Sequence, residues 1–161
     1  FKVVERVRSF LPEAALRTSL IVGYPGESEE AFDTLLDFVR QVRFHNLGVF
    51  TFYPEEGTRA AELEGSIEEK VKEERQREVM ALQADISAAI LSAYPGRTED
   101  ILIDTPHPEW PTLYQGRTWF QALEVDGITY LSGQDLKPGT IVQACIQESK
   151  TYDLTAMVER D

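Results

Sequence analysis

Cysteine is nearly absent from this chain: Cys145 stands alone among 161 residues. A disulfide framework inside the chain is therefore excluded, and a reducing, cytoplasmic setting is the expectation. No stretch approaches the roughly 18 consecutive apolar residues that a membrane-spanning helix needs. Residues 1–10 carry charges throughout, unlike a secretory leader. His45 and His107 are the two histidines, and neither has acidic or cysteine neighbours at ligand spacing. Both read as surface or loop residues, so no metal site is expected. Phosphate loops, dinucleotide fingerprints and nucleophile elbows are not found in the sequence either. Basic residues are scarce, with 16 Lys and Arg against 28 Asp and Glu for a net charge of −12. Phosphate backbones are bound by Lys and Arg that displace counterions, so this balance works against nucleic acid. It suits a basic partner, or it serves solubility alone.

What is present centres on residues 17–27, RTSLIVGYPGE. Thr18 to Val22 is a β-rich apolar run, read as a strand buried on both faces. Gly23, Pro25 and Gly26 end it, and Pro25-Gly26 fits the centre of a type II turn. Ser28 offers a helix cap, after which Phe32, Leu35, Leu36, Val39 and Val42 recur at helical spacing. Strand, glycine turn and helix in that order make a ligand site at the strand's carboxyl end. Spacing alone equally describes a plain connector.

Around this stretch, residues 2–11 read as a helix and residues 47–52 as a second apolar strand. A short helical turn is expected near Ala60–Leu63. Ser66 to Glu69 has the form of a capping box opening a long helix, with Val71, Val79, Leu82, Ile86, Ile90 and Ala93 as its apolar stripe. Lys70, Lys72, Glu73, Glu74, Arg75, Arg77 and Glu78 read as its solvated face. Helix, strand, helix, strand, helix implies an α/β arrangement with a parallel sheet. Two parallel strands cannot cover both faces by themselves, so the expectation is the C-terminal part of a longer protein.

After Gly96 the pattern changes to five short β-type runs: residues 99–104, 114–120, 125–131, 140–147 and 152–158. This spacing predicts a small five-stranded antiparallel β-barrel of the OB-like class. Cys145, amid Ile141, Val142, Ala144 and Ile146, reads as a buried strand thiol rather than a nucleophile. Glu27, Glu55 and Glu56 follow the two parallel strands and share one rim of the sheet. Arg17, at the start of the first strand, could hold a carboxylate or merely flank the strand.

Residues 17–32, RTSLIVGYPGESEEAF, closely resemble the fifth-strand segment of radical S-adenosylmethionine methylthiotransferases. Residues 48–61, GVFTFYPEEGTRAA, resemble their sixth-strand segment, and the terminal module is similar to their TRAM domain. PEEGT at 54–58 and VDG at 125–127 are similar to the branch that modifies an aspartate of small-subunit ribosomal protein S twelve. WFQAL at 119–123 departs from that branch's pattern. In the branch that modifies tRNA adenosine, the TRAM domain is usually basic. Here residues 95–161 hold five bases and eleven acids, a net of −6.

The resemblance implies that residues 1–94 are the C-terminal part of a radical-enzyme TIM-type barrel and residues 95–161 a TRAM domain. It implies S-adenosylmethionine as cofactor and two 4Fe–4S clusters, whose cysteine ligands would lie outside this chain. No catalytic residue is assigned here, and the chain by itself should be inactive. Gly23, Tyr24, Pro25 and Gly26 would present backbone to S-adenosylmethionine, and Val49, Thr51 and Tyr53 would pack or hydrogen-bond its adenine. Arg17 and Glu27 would serve its polar groups. The implied partner is the basic ribosomal protein S twelve, met through the acidic TRAM domain. The alternatives are tRNA as substrate, or a stand-alone binding module without catalysis.

Overall fold

The periodicities of the first half produce, in the computed structural model, α1 (Lys2–Phe10), β1 (Arg17–Val22), α2 (Glu29–Val42) and β2 (Asn46–Thr51). A 3-10 turn at Arg59–Glu62 and the long α3 (Glu69–Leu91) follow. The second half supplies β3 (Thr98–Pro106), β4 (Leu113–Arg117), β5 (Thr129–Ser132), β6 (Ile141–Ser149) and β7 (Leu154–Val158). The structure describes residues 1–158. They fall into two units that divide within α3, residues 1–86 and residues 87 onward.

In the first unit β1 and β2 pair in parallel, from Arg17 opposite Asn46 to Val22 opposite Thr51. The Ser28 hydroxyl accepts the Ala31 N–H at 3.2 Å and so caps α2. Arg43 ends α2 in the left-handed conformation, φ 50°. Arg8 of α1 donates to the carbonyls of Val42 and Arg43, which have no partner within the helix. Phe32, Leu36, Val39 and Val42 are buried, with Val22, Leu47, Val49, Val79 and Ile86.

Two expectations for this unit need correction. β1 is not buried on both faces: Val22 is covered, but Ile21 is 58% exposed, and Phe50 opposite it on β2 is 59% exposed. Two strands with helices give one covered face and leave the other bare. Nor does the long helix open at Ser66. The Gly65 carbonyl accepts the Gly26 N–H at 2.9 Å, which keeps this loop against the glycine turn. The first carbonyl of α3 to accept within the helix is Glu68, bonded by the N–H groups of Val71 and Lys72.

The second unit is a closed barrel in the order β3-β4-β5-β7-β6. Closure leaves no strand edge open. Ile101, Ile103, Leu131, Ile146 and Leu154 fill its centre, joined by Leu91 and Tyr94. The barrel is mixed rather than antiparallel, because β5 and β7 pair in parallel, from Thr129 opposite Leu154 to Ser132 opposite Met157. The reason is the crossing after β5. The chain passes over to place β6 beside β3, and β7 then returns in the direction of β5 to fill the gap. Cys145 is also corrected. On β6 the inward positions are Ala144 and Ile146, so the two-residue period puts Cys145 on the outer surface, half-buried.

Among the described residues, no helix is long and apolar enough to cross a membrane.

Candidate functional site

Parallel pairing brings the carboxyl ends of β1 and β2 to the same edge. The Phe52 N–H donates to the Val22 carbonyl at 2.8 Å, extending the pairing one step beyond the strands. From Gly23 the chain enters a turn in which the Glu27 N–H donates to the Tyr24 carbonyl at 2.9 Å. Gly26 has φ +81°, so Tyr24-Pro25-Gly26-Glu27 is the type II turn expected from its sequence. A Cβ built on Gly26 would meet no atom within 4 Å, which leaves this side of the turn open to close approach. The ring of Tyr24 stands edge-on to that of Phe52, 5.2 Å between centroids.

Behind the turn lies a set of polar side chains from α3. Arg75 Nη1 donates to Glu27 Oε1 at 2.6 Å and to the Glu27 carbonyl at 3.1 Å, and Nη2 donates to Glu29 Oε1 at 2.5 Å. The Gly23 N–H reaches the same Oε1 of Glu27 at 3.1 Å. The Arg75 side chain is 5% exposed and that of Glu27 13%, whereas that of Glu29 is 81% exposed. Burial works against the Arg75 charge, and the hydrogen bonds to Glu29 and Glu27 outweigh it, raising its pKa. The guanidinium also lies over the Phe32 ring, 5.1 Å from its centroid. Lys72 Nζ donates to the Phe52 carbonyl and to Glu69, each at 3.0 Å. Gln76 Nε2 donates to the Val49 carbonyl at 2.8 Å, and Gln83 Nε2 to that of Phe44 at 2.8 Å.

Lys72 and Arg75, which the charge pattern puts on a solvated face, are buried. The signal was present in the spacing: positions 72, 75, 79, 83 and 86 recur every three or four residues, with 76 beside 75, the face of a helix. Charge concealed it. Carbonyls at the ends of parallel strands need donors, and long polar side chains on a facing helix supply them.

Of the residues singled out from the sequence, Gly23, Tyr24, Pro25, Gly26 and Glu27 form the one continuous turn, and Thr51 and exposed Tyr53 flank it from the end of β2. Val49 is buried two residues back from the edge. Arg17 pairs with Asn46 at the opposite end of the strands, about 16 Å away at the usual rise per residue. Glu55 and Glu56 are exposed loop residues, and the Glu55 carbonyl receives the Thr58 N–H and hydroxyl. His107 lies in the loop after β3, stacked on Trp110 at 5.3 Å.

A Cβ on Gly26 would stand in open space, and Tyr24, Ile21 and Phe50 are exposed. The Glu27 carboxylate is already engaged by Arg75 and Gly23. The residues do not fit an iron–sulfur cluster. The chain has one cysteine, and among the described residues no group of three or more His, Cys, Asp or Glu could hold a metal ion.

Comparison with known proteins shows what the chain is similar to. Residues 96–158 match the TRAM domain family. The ribosomal protein uS12 methylthiotransferase RimO of Nitratidesulfovibrio vulgaris (strain DP4) is 54% identical over 98% of this chain, which covers 36% of that relative. The enzyme of the same name from Lawsonia intracellularis is 46% identical over 98% of the chain, covering 36% of the relative. That from Aquifex aeolicus is 43% identical over 94% of the chain, covering 35%. The chain thus spans about a third of the length of these curated relatives. Along nearly all of its own length the chain is similar to ribosomal protein uS12 methylthiotransferases RimO, and its residues 96–158 match the TRAM domain family.

Proposed function

We propose that this chain is the C-terminal part of a radical S-adenosylmethionine methylthiotransferase that places a methylthio group on the β-carbon of an aspartate of ribosomal protein uS12. The observation that carries the proposal is the sequence identity with RimO proteins over nearly the whole chain, turn and barrel alike. The bare face of β1 and β2 supports a TIM-type barrel completed by strands outside this chain, because Ile21 and Phe50 would then face an interior. In this reading residues 1–94 belong to that barrel and residues 95–161 are the TRAM domain, in a cytoplasmic enzyme.

When bound, S-adenosylmethionine and two 4Fe–4S clusters held by residues outside this chain supply the radical and sulfur chemistry. The part played by this chain is to bind and orient. Gly23, Tyr24, Pro25 and Gly26 offer backbone to the cofactor from the open side of the turn. Val49, Thr51 and Tyr53 belong to the β2 segment that borders the adenine. Arg17 and Glu27 are the candidates for its polar groups, but Arg17 stands at the far end of β1, and the engaged Glu27 carboxylate favours a role in shaping the turn. The TRAM domain exposes Asp100, Glu109, Glu124, Asp135 and Glu148, which suits a basic ribosomal protein better than tRNA.

The test is anaerobic reconstitution of the full-length protein, incubation with uS12 and, separately, with tRNA, and mass spectrometry of both. Gain of a methylthio group on a uS12 aspartate is expected. Modification of a tRNA adenosine instead would transfer the chain to the other branch, and modification of neither would favour a non-catalytic binding module.

A further inference from the structure

We propose that Arg75 is a positioning residue for the cofactor turn: through the Glu27 carboxylate it fixes the backbone of Gly23 to Gly26 in the form that receives S-adenosylmethionine. The inference rests on the reading of this turn as the cofactor site.

Three features of the geometry lead to it. First, the Gly23 N–H, which leaves the end of β1, is directed to Glu27 Oε1 at 3.1 Å, so the side chain of Glu27 closes the turn across its own base. Second, that same oxygen takes Arg75 Nη1 at 2.6 Å, and Nη1 also holds the Glu27 carbonyl at 3.1 Å. One guanidinium therefore grips both the side chain and the main chain at the exit of the turn. Third, Nη2 reaches Glu29 at 2.5 Å and the guanidinium rests on the Phe32 ring, so Arg75 is itself located against the first turns of α2.

Each link has a physical reason to be arginine and glutamate. A carboxylate as covered as that of Glu27 is costly to bury without a cation, so the charge pair stands or falls together. A planar fork can serve three acceptors at once, whereas an ammonium acts as a point charge on a flexible stem. Glu27 therefore acts from behind, and the open side of Gly26 is left for the ligand. Arg75 lies 48 residues beyond Glu27 in sequence, so local turn chemistry alone does not set the conformation of Gly23 to Gly26.

The experiment uses the reconstituted full-length protein and measures S-adenosylmethionine binding by anaerobic titration calorimetry, beside the melting temperature without ligand. The variants are Arg75→Lys, Glu27→Gln, the two combined, and Glu78→Gln, exposed on the same helix, as the control. Arg75→Lys and Glu27→Gln are each expected to weaken binding about ten-fold, a loss of about 1.4 kcal/mol. The double variant should be no weaker than the worse single one, because both act through one turn. Glu78→Gln should bind as the parent does. If one single variant fails to fold, the other gives the answer. Lowered melting temperatures with the parent's affinity would reduce Arg75 to a structural role and overturn the inference. A parent protein that binds no S-adenosylmethionine would overturn the site reading itself, a different and recognisable result.

Discussion

Lys72 Cγ lies 2.3 Å from the point that a Cβ on Gly23 would occupy, so the two positions share one space. Gly23 also sits at φ +77°, where a side chain is strained whatever its surroundings. The turn at the end of β1 is thus defined as much by a helix 49 positions later in the chain as by its own glycine and proline.

Gly23→Ala should therefore destabilise the first unit by about 2–4 kcal/mol, combining left-handed strain with overpacking. Urea unfolding measures it. The cost should fall by about 1 kcal/mol in a Lys72→Ala background, since the clashing methylenes are then gone. Equal costs in both backgrounds would mean that the turn and α3 are not in contact.

The barrel offers a matched pair of glycines. A Cβ on Gly127 would stand 1.9 Å from the Tyr152 carbonyl oxygen, which is main chain and cannot swing aside. A Cβ on Gly139 would meet nothing within 4 Å, and only its φ of +82° opposes a side chain. Gly127→Ala should cost about 3 kcal/mol or more and Gly139→Ala about 1 kcal/mol, read from thermal unfolding.

Much of this was legible in the sequence. Ser28 as a cap and Pro25-Gly26 as a type II turn became the elements their local chemistry favours, and each of the five β runs holds a strand, although the run at 125–131 is strand only from Thr129 and the run at 114–120 stops at Arg117. What was not legible depended on residues far apart. Lys72 and Arg75 sit among five other charged residues between 70 and 78, and only the strand ends facing them turn those two inward. The parallel pairing of β5 and β7 follows from where the chain crosses the barrel, which no alternation within either strand records. Cys145 failed for a simpler reason: its apolar neighbours suggested burial, but Ala144 and Ile146 hold the inward phase.

His45 gives the first unit a pH dependence. Burial lowers its pKa below the ordinary value of 6.5, the Arg8 charge adds to this, and Glu13 opposes it. The unfolded chain therefore takes up this proton at a higher pH than the folded one. Stability from His45 is fully present above about pH 6.5 and is lost as pH falls through the lowered folded value. Melting temperatures between pH 7.5 and 5 should decline, and His45→Gln should flatten that part of the decline.

The proposed docking through the acidic barrel has its own signature. Association with uS12 should weaken steeply from low to moderate salt, because the charges involved are exposed and screened. Titration at several salt concentrations reads this directly, and salt-insensitive binding would remove the electrostatic account of partner choice.

The claim on which the account depends is that the carboxyl ends of β1 and β2, with the turn at Gly23 to Gly26, receive S-adenosylmethionine. Hydrogen–deuterium exchange of the full-length reconstituted protein, with and without S-adenosylmethionine, tests it most directly. The account predicts slowed exchange in peptides covering residues 22–27 and 50–53, with the TRAM domain unchanged. Protection confined to other segments, with these two exchanging as before, would contradict it.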